Sequence, residues 1–540
     1  MCEGCTTLAS TSTRTARLST CKRMLRTTAL YSIRLTRQLA MGPYEPVFPH
    51  YKHQAKEFEM REEPHRGLLW QMRTGKTKAM IDMAFALFMD DKIDQVLVLA
   101  PNGVHLNWEI KQLPVHAWKS LPYTVSSWVS SLSKKPEYLR RLNMNTLNPV
   151  GAAKNSLRWY CMNSESCWRD RPKKTLSMFL GQAKKGTLLI ADESDDFRKI
   201  SSKRTALAIS LRDHVQYRRI LTGSFADNSP LAVYSQLEIL KKHALGYKTY
   251  AEFEARYAVY SKAAIHDRQG RARHVKVIES YKNQTELKEL VAQYASVVLR
   301  EECDDMPDLV HADEYFEISP EQRKLYEHIS DKILEEEGLH GGIVLTDVFS
   351  GGVKGIKLQQ VTNGFFVDSE GEVTDLPNPR GEVYARVIQE QMLDNRQVIT
   401  WCRYHEDIKR VKAILVEQGI KFVEFHGGIS TPQRMKNMHT FMTDPSYKVF
   451  IGQPAAGGRG LDLSVAKTVI WYSHTYDLIH RRQADERATH VGGHAIDVID
   501  LQALDTVDLS IIASLSEKTT VSDYLSRHGL QAFLAGKTQV

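Results

Sequence analysis

WQMRTGKTK, residues 70–78, decides the reading of this chain. An apolar run leads into it and a helical pattern, TKAMIDMAFALFMDD (77–91), leads out. Gly75-Lys76-Thr77 completes the core of a P-loop, a turn that points successive backbone N–H groups at phosphate oxygens from a helix N-terminus. Thr74 and Gly75 would supply loop backbone, Lys76 would reach the β- and γ-phosphates, and Thr77 would ligate Mg²⁺. The strict spacing G-x-x-x-x-G-K-[ST] is broken, because Trp70 stands where the first glycine belongs.

Working outward, LLIADESDD (188–196) is an apolar strand ending in two acids. This is what the second half of such a site requires: Asp192 to hold the Mg²⁺ shell, and Glu193 to orient and deprotonate a water. Other bounded apolar runs are QVLVLAP (95–101) and YRRILTGS (217–224). A second block holds RQVITWC (396–402), KFVEFHG (421–427), KVFIGQP (448–454), KTVIWYS (467–473) and AIDVIDL (495–501). Short apolar runs alternating with amphipathic stretches read as buried parallel strands and crossover helices. Two such blocks predict an α/β chain of two doubly wound parallel-sheet lobes. Between them YKTYAEFEARYAVYSKAA (247–264), NQTELKELVAQYASVVL (283–299) and SPEQRKLYEHISDKILEEEG (319–338) predict helical protrusions and a connection. The expected division is 1–40 as an extension, 41–305 as lobe one with an insertion, and 306–540 as connecting helices and lobe two.

Composition fits this reading. The 540 residues are 42% hydrophobic and 25% charged, with a net charge of +8 that suits a polyanionic partner without requiring one. Seven scattered cysteines do not make a disulfide framework, and no run approaches a membrane span. A reducing, cytoplasmic compartment is expected. Residues 1–40 are rich in Ser, Thr and Arg, with Glu3 the only acid. They imitate a transit peptide, or precede a natural start at Met41, and disorder is expected there.

The order of further motifs resembles the superfamily 2 helicases of the Swi/Snf-like branch. HYKHQAKEF (50–58) is similar to the family's adenine-reading segment, which would make Gln54 the reader. Asp192-Glu193-Ser194-Asp195 fits D-E-x-D, LAPNGVHLNWEIK (99–111) resembles motif Ia, and LTGSFADNSPLAVYSQLEIL (221–240) resembles motif III with its downstream helix. EISPEQRKLYEHI (317–329) resembles the connection between lobes. QVITWCRYHEDIKRVKAIL (397–415) and FHGGISTPQRMKNMHTF (425–441) resemble motif IV and the turn after it. AAGGRGLDLSVAKTVIWY (455–472) resembles motif V, and RRQADERATHVGG (481–493) resembles motif VI. The resemblance spans about 50–515. It implies two RecA-like lobes, ATP with Mg²⁺, and a monomeric motor on nucleic acid, double-stranded DNA ahead of RNA. Catalytic roles carry over to Lys76, Glu193, Gln483 and Arg487. Gly458 and Asp462 of motif V join the nucleotide set. Asn102, Thr222, Gly223, His426 and Gly427 become the nucleic-acid contacts. The compact form is similar to small stand-alone motors of bacteriophage or bacterial type.

The pattern has departures. The motif VI arginine finger is His490, and Thr489 precedes it. An arginine finger contributes ~10³–10⁵ in rate. His490 could substitute weakly, Arg481, Arg482 or Arg487 could serve, or the motor could be slow or inactive. Arg73 replaces a P-loop glycine, Asp462 replaces an asparagine, and Phe225 replaces a proline. Rival readings are a nucleotide-gated DNA-binding protein that has lost hydrolysis, and an RNA helicase. Trp159, Tyr160 and Trp168 could stack bases but read better as core, and Cys161 and Cys167 read as structural. RDRPKK (169–174) and DRQGRARHVK (267–276) are basic stretches that could grip phosphates.

Overall fold

The computed structural model describes residues 44–223, 229–266, 272–303, 307–340, 353–368, 370–454, 461–489, 493–517 and 530–536. The extension 1–40 therefore lies outside the described residues, as do Phe225, Gly457, Gly458, Gly460, His490 and Gly492.

The first sheet is built from β1 (His65–Trp70), β2 (Gln95–Ala100), β3 (Tyr123–Ser127), β4 (Leu157–Asn163), β5 (Thr187–Asp192), β6 (Tyr217–Leu221) and β9 (Ala295–Val298). Its order is β3-β4-β2-β5-β6-β1-β9, and every pairing is parallel. Alternate side chains enter opposite cores. Leu97 and Leu99 of β2 join Tyr160, Phe179 and Leu237, while Val96, Val98 and Ala100 join Met80, Phe85 and Trp108. Burial on both faces is why β2 and β5 read as continuous apolar runs.

The second sheet holds β10 (Leu309–Phe316), β13 (Val398–Trp401), β14 (Phe422–Phe425), β15 (Val449–Gly452), β16 (Thr468–Trp471) and β17 (Ile496–Ala503). Its order is β10-β17-β16-β13-β15-β14, again all parallel. Its two cores divide in the same way, Val398 facing one and Ile399 with Trp401 the other. The chain thus folds as two α/β lobes of parallel sheet. Parallel strands put all their C-terminal ends on one edge, where such sheets bind ligands. The P-loop, Asp192 and Thr222 all lie at strand C-termini on that edge of the first sheet.

The helices needed below are α1 (Lys52–Glu59), α2 (Lys76–Met89), α3 (Ala232–Leu240), α4 (Pro320–His340), α5 (Pro379–Leu393) and α6 (Leu478–Asp485). Helix α4 covers the third expected helical stretch. The other two stretches are corrected by the structure. In 247–264 the helix stops at Tyr257, and Ala258–His266 is strand β7, paired antiparallel with β8 (Ala272–Tyr281). In 283–299 the helix is Gln284–Ala292, and Ala295–Val298 becomes β9 beside β1. The second tail, ASVV, carries two valines that favour a pleated surface, and in both tails sheet pairing overrides the helical spacing. A further two-stranded piece pairs β11 (Phe365–Val367) with β12 (Val373–Asp375). Trp159, Tyr160, Cys161 and Cys167 are all buried. Among the described residues no helix is long and apolar enough to cross a membrane.

Candidate active site

Strand β1 delivers the P-loop. Trp70, standing in the place of the missing glycine, is buried and donates its indole N–H to Ser296 Oγ of β9 at 2.9 Å. That position is spent on sheet packing. The loop then turns twice through left-handed backbone, at Arg73 (φ 65°) and Gly75 (φ 84°). Gly75 is required on two counts: the conformation favours glycine, and a Cβ there would come 2.1 Å from Gln54 Nε2. Gln54, buried on the first turn of α1, donates to Gly75 O at 3.2 Å. Thr74 braces the loop from inside, donating Oγ1 to Gln71 O at 2.8 Å while its carbonyl faces His53 Nε2 at 2.8 Å. No side chain caps the N-terminus of α2, so its first N–H groups remain for an anion.

Lys76 Nζ folds onto the loop, donating to Trp70 O at 2.8 Å and Gln71 O at 3.0 Å. Burial lowers its pKa, against the attraction of Glu193 and Asp192. Asp192 ends β5. Burial and the neighbouring Glu193 push its carboxyl up to about 6, while the indole of Trp108 donates to Oδ2 at 2.9 Å and pulls it back. Glu193 is buried in a left-handed conformation (φ 51°) that a non-glycine residue adopts only under constraint. Ser194 ties this turn to α3 by donating to Gln236 Oε1 at 2.6 Å.

These groups open onto a cleft of about 400 Å³ that both lobes line. Lobe one gives Gln54, Arg73, Gly75, Lys76, Thr77, Lys111, Asp192 and Glu193; lobe two gives Leu461, Asp462 and Arg487. Arg73 crosses the cleft, donating to Leu461 O at 2.8 Å and Arg487 O at 3.1 Å, with Asp462 Oδ1 at 3.5 Å. Lys111 pairs with the other oxygen of Asp462. Burial opposes ionisation of Asp462, but Arg73 and Lys111 hold it down at about 2. Arg487 is buried with Nη1 3.4 Å from Leu461 O.

Two candidates stand apart from the cavity wall. Thr74 braces the loop from behind, and Gln483 is half-buried on α6. Gly458 and His490 lie outside the described residues. Arg481 is corrected as a stand-in for the arginine finger. It is buried, bonds both oxygens of Asp500 at 2.7 and 2.8 Å and Asp485 at 2.9 Å, and lies over Trp471. Withdrawing it would leave two buried carboxylates uncompensated.

The nucleic-acid candidates separate. Asn102 is exposed beyond β2, and Gly427 is exposed beyond β14 beside half-buried His426, which contacts Glu424 at 3.3 Å. Thr222 is fully buried, and Gly223 is half-buried, where a Cβ would meet Met72 Cγ at 2.8 Å. Gly223 therefore lies against the P-loop residue Met72.

Sequence reasoning missed Trp108, Lys111 and Glu486. Glu486 is buried, and burial pushes its carboxyl up to about 7 against Arg300, Arg482 and Lys76. Its signal was available, since it occupies the acidic position of motif VI. Trp108 and Lys111 lie in a wide helical turn, Trp108–Gln112, within the motif Ia-like segment. Such turns are frequent at functional sites.

Residues 382–492 match the helicase conserved C-terminal domain. An uncharacterized ATP-dependent helicase of Mycoplasma pneumoniae is 25% identical over 219 residues, covering 40% of this chain and 20% of that protein. The lymphoid-specific helicase of Homo sapiens is 34% identical over 98 residues, 18% of this chain and 12% of that protein. The Sulfolobus solfataricus SWI2/SNF2 ATPase core in complex with dsDNA is 18% identical with a TM-score of 0.38, covering 91% of this chain and 96% of that one. The chain spans a fifth or less of the length of the two curated relatives. Residues 382–492 thus carry a helicase conserved C-terminal domain, and the motifs on either side keep the order of the Swi/Snf-like helicases that they resemble.

Proposed function

We propose that the chain is an ATP-driven motor that moves along nucleic acid, with double-stranded DNA as its track. Residues 41–305 and 306–540 act as its two lobes. The observation that carries this reading is the shared cleft, where Lys76, Thr77, Asp192 and Glu193 meet Asp462 and Arg487 of the other lobe. The names of the two curated relatives given above, both helicases, speak for the same activity.

Lys76 would leave its loop carbonyls for the β- and γ-phosphates. Glu193 would orient the attacking water and take its proton. Arg487 would place positive charge against the phosphoryl group from lobe two, a role that Gln483 and the neighbouring loop would assist. Thr77 and Asp192 fit Mg²⁺. A hydroxyl and one buried carboxylate are a sparse donor set, suited to an ion held largely by phosphates and water. Asp192, raised by burial, would gain from an adjacent cation. When bound, the ion would neutralise charge developing on the phosphates.

Because neither lobe completes the site, nucleotide binding favours closure and hydrolysis favours opening. Asn102, His426 and Gly427, at strand ends of the two lobes, would grip the sugar-phosphate backbone alternately. Contacts to phosphate make sequence preference weak and salt dependence strong. The test is ATP turnover with duplex DNA, single-stranded DNA and RNA. Stimulation greatest with duplex, and abolished by Lys76→Ala and Glu193→Gln, is expected. Greater stimulation by RNA would favour an RNA helicase, and no turnover would favour a nucleotide-gated DNA-binding protein.

A further inference from the structure

Two departures from the family pattern meet each other across the cleft. Arg73 stands in place of a P-loop glycine, and Asp462 in place of an asparagine. They are 389 residues apart in sequence, yet Arg73 Nη1 is 3.5 Å from Asp462 Oδ1. The same guanidinium donates to Leu461 O at 2.8 Å and Arg487 O at 3.1 Å, so one lobe-one side chain bridges the segments before and within motif VI. Lys111, also of lobe one, takes the second oxygen of Asp462.

The backbone at Arg73 argues that its side chain is retained for a reason. At φ 65° a glycine would be at ease, whereas a residue with a Cβ is strained. The contacts to lobe two offset that strain. Arg73 and Lys111 hold the Asp462 carboxyl far below the usual range despite its burial, so Asp462 stays ionised through neutral pH. All three side chains line the cavity that also holds Lys76 and Glu193. A polyanion entering that cavity would face two cations already paired with a carboxylate.

We propose that Arg73, Lys111 and Asp462 form a charge latch between the lobes, which a nucleoside triphosphate must take over when it binds. The inference rests on the nucleotide reading of the cleft. Asp462 then holds nucleotide affinity down, and exchange of its partners for phosphate oxygens links binding to lobe position.

The experiment is equilibrium titration with a fluorescent N-methylanthraniloyl ATP, with Mg²⁺ and at fixed salt. It compares wild type, Asp462→Asn, Arg73→Gln, the double variant and Lys76→Ala. Asp462→Asn frees two cations close to a polyanion and is expected to tighten binding about tenfold. Arg73→Gln is expected to weaken binding by a larger factor in the Asp462→Asn background than in wild type, because only there is the guanidinium unneutralised. Asp462→Ser deletes the same charge and is expected to agree if Asp462→Asn folds poorly. Asp462 variants that bind no tighter than wild type, or an Arg73→Gln effect equal in both backgrounds, would overturn the latch. If wild type binds and Lys76→Ala does not, that failure belongs to the latch alone. A wild type that binds no nucleotide overturns the latch together with the reading beneath it.

Discussion

Trp108→Phe tests the ionisation of Asp192 with little change in shape. Trp108 is fully buried, stacked on Trp159 at 6.0 Å between ring centroids, and its only polar atom donates to Asp192 Oδ2 at 2.9 Å. Phenylalanine keeps an aromatic face in that core and deletes the donor. A hydrogen bond to a charged group is worth about 1.5–3 kcal/mol, or roughly one to two pKa units. The bond favours the ionised carboxylate, so its loss raises a pKa that already stands at about 6. At pH 7 the ionised fraction of Asp192 would fall from roughly nine-tenths to between about half and a tenth. Protonation removes the Mg²⁺-facing charge, so activity is present above this pKa and lost as pH falls through it. The assay is the pH profile of kcat/KM for ATP hydrolysis, which reports the free enzyme. The acidic limb of Trp108→Phe should move up by about one to two units, with the deficit at pH 7 largely recovered by pH 9. An unmoved limb, or an equal loss at both pH values, would refute the reasoning.

Asp192→Asn should stabilise the nucleotide-free protein at pH 7. The folded pKa of Asp192 is raised from 3.8 to about 6, so its ionisation costs stability as pH rises through that window. A gain on the order of 2 kcal/mol in urea unfolding at pH 7, vanishing near pH 4, is expected. Gly75→Ala should cost about 1–3 kcal/mol and abolish nucleotide binding, because it combines a left-handed backbone with a 2.1 Å approach to Gln54 Nε2. Nucleotide titration and denaturant melts check the two halves separately. Arg380→Met should be among the most damaging changes in lobe two. Arg380, at the start of α5, is fully buried, pairs with buried Asp508, and donates to Tyr472 O and Leu501 O at 2.7 Å each. Removing it strands a carboxylate, at a cost of about 3–5 kcal/mol measured by thermal unfolding.

What was legible in the sequence follows from locality. Strands β2, β5, β13, β15, β16 and β17 are buried on both faces and read as apolar runs. β3 (YTVSS) is half-polar at a sheet edge, and β10 (LVHADEYF) is exposed along most of its length, so neither carries that signal. β9 was hidden because ASVV continues a helical spacing without a break. The P-loop and the Asp192-Glu193 pair are contiguous motifs, each legible from residues side by side. Trp108 with Asp192 spans 84 residues and Arg73 with Asp462 spans 389, and such pairs exist only once the sheets bring them together. Arg73 and Asp462 were visible as separate oddities. Their charges become mutually meaningful across the cleft. Gly223 belongs to a legible motif, yet its close approach to Met72 of the P-loop appears only in the folded chain.

The central claim is that this cleft drives movement along DNA, and displacement of a third strand from a DNA triplex measures that movement. Wild type with ATP and Mg²⁺ should displace the strand, while Glu193→Gln and wild type with a non-hydrolysable ATP analogue should not. ATP turnover stimulated by duplex DNA without displacement, or displacement that persists in Glu193→Gln, would contradict the account.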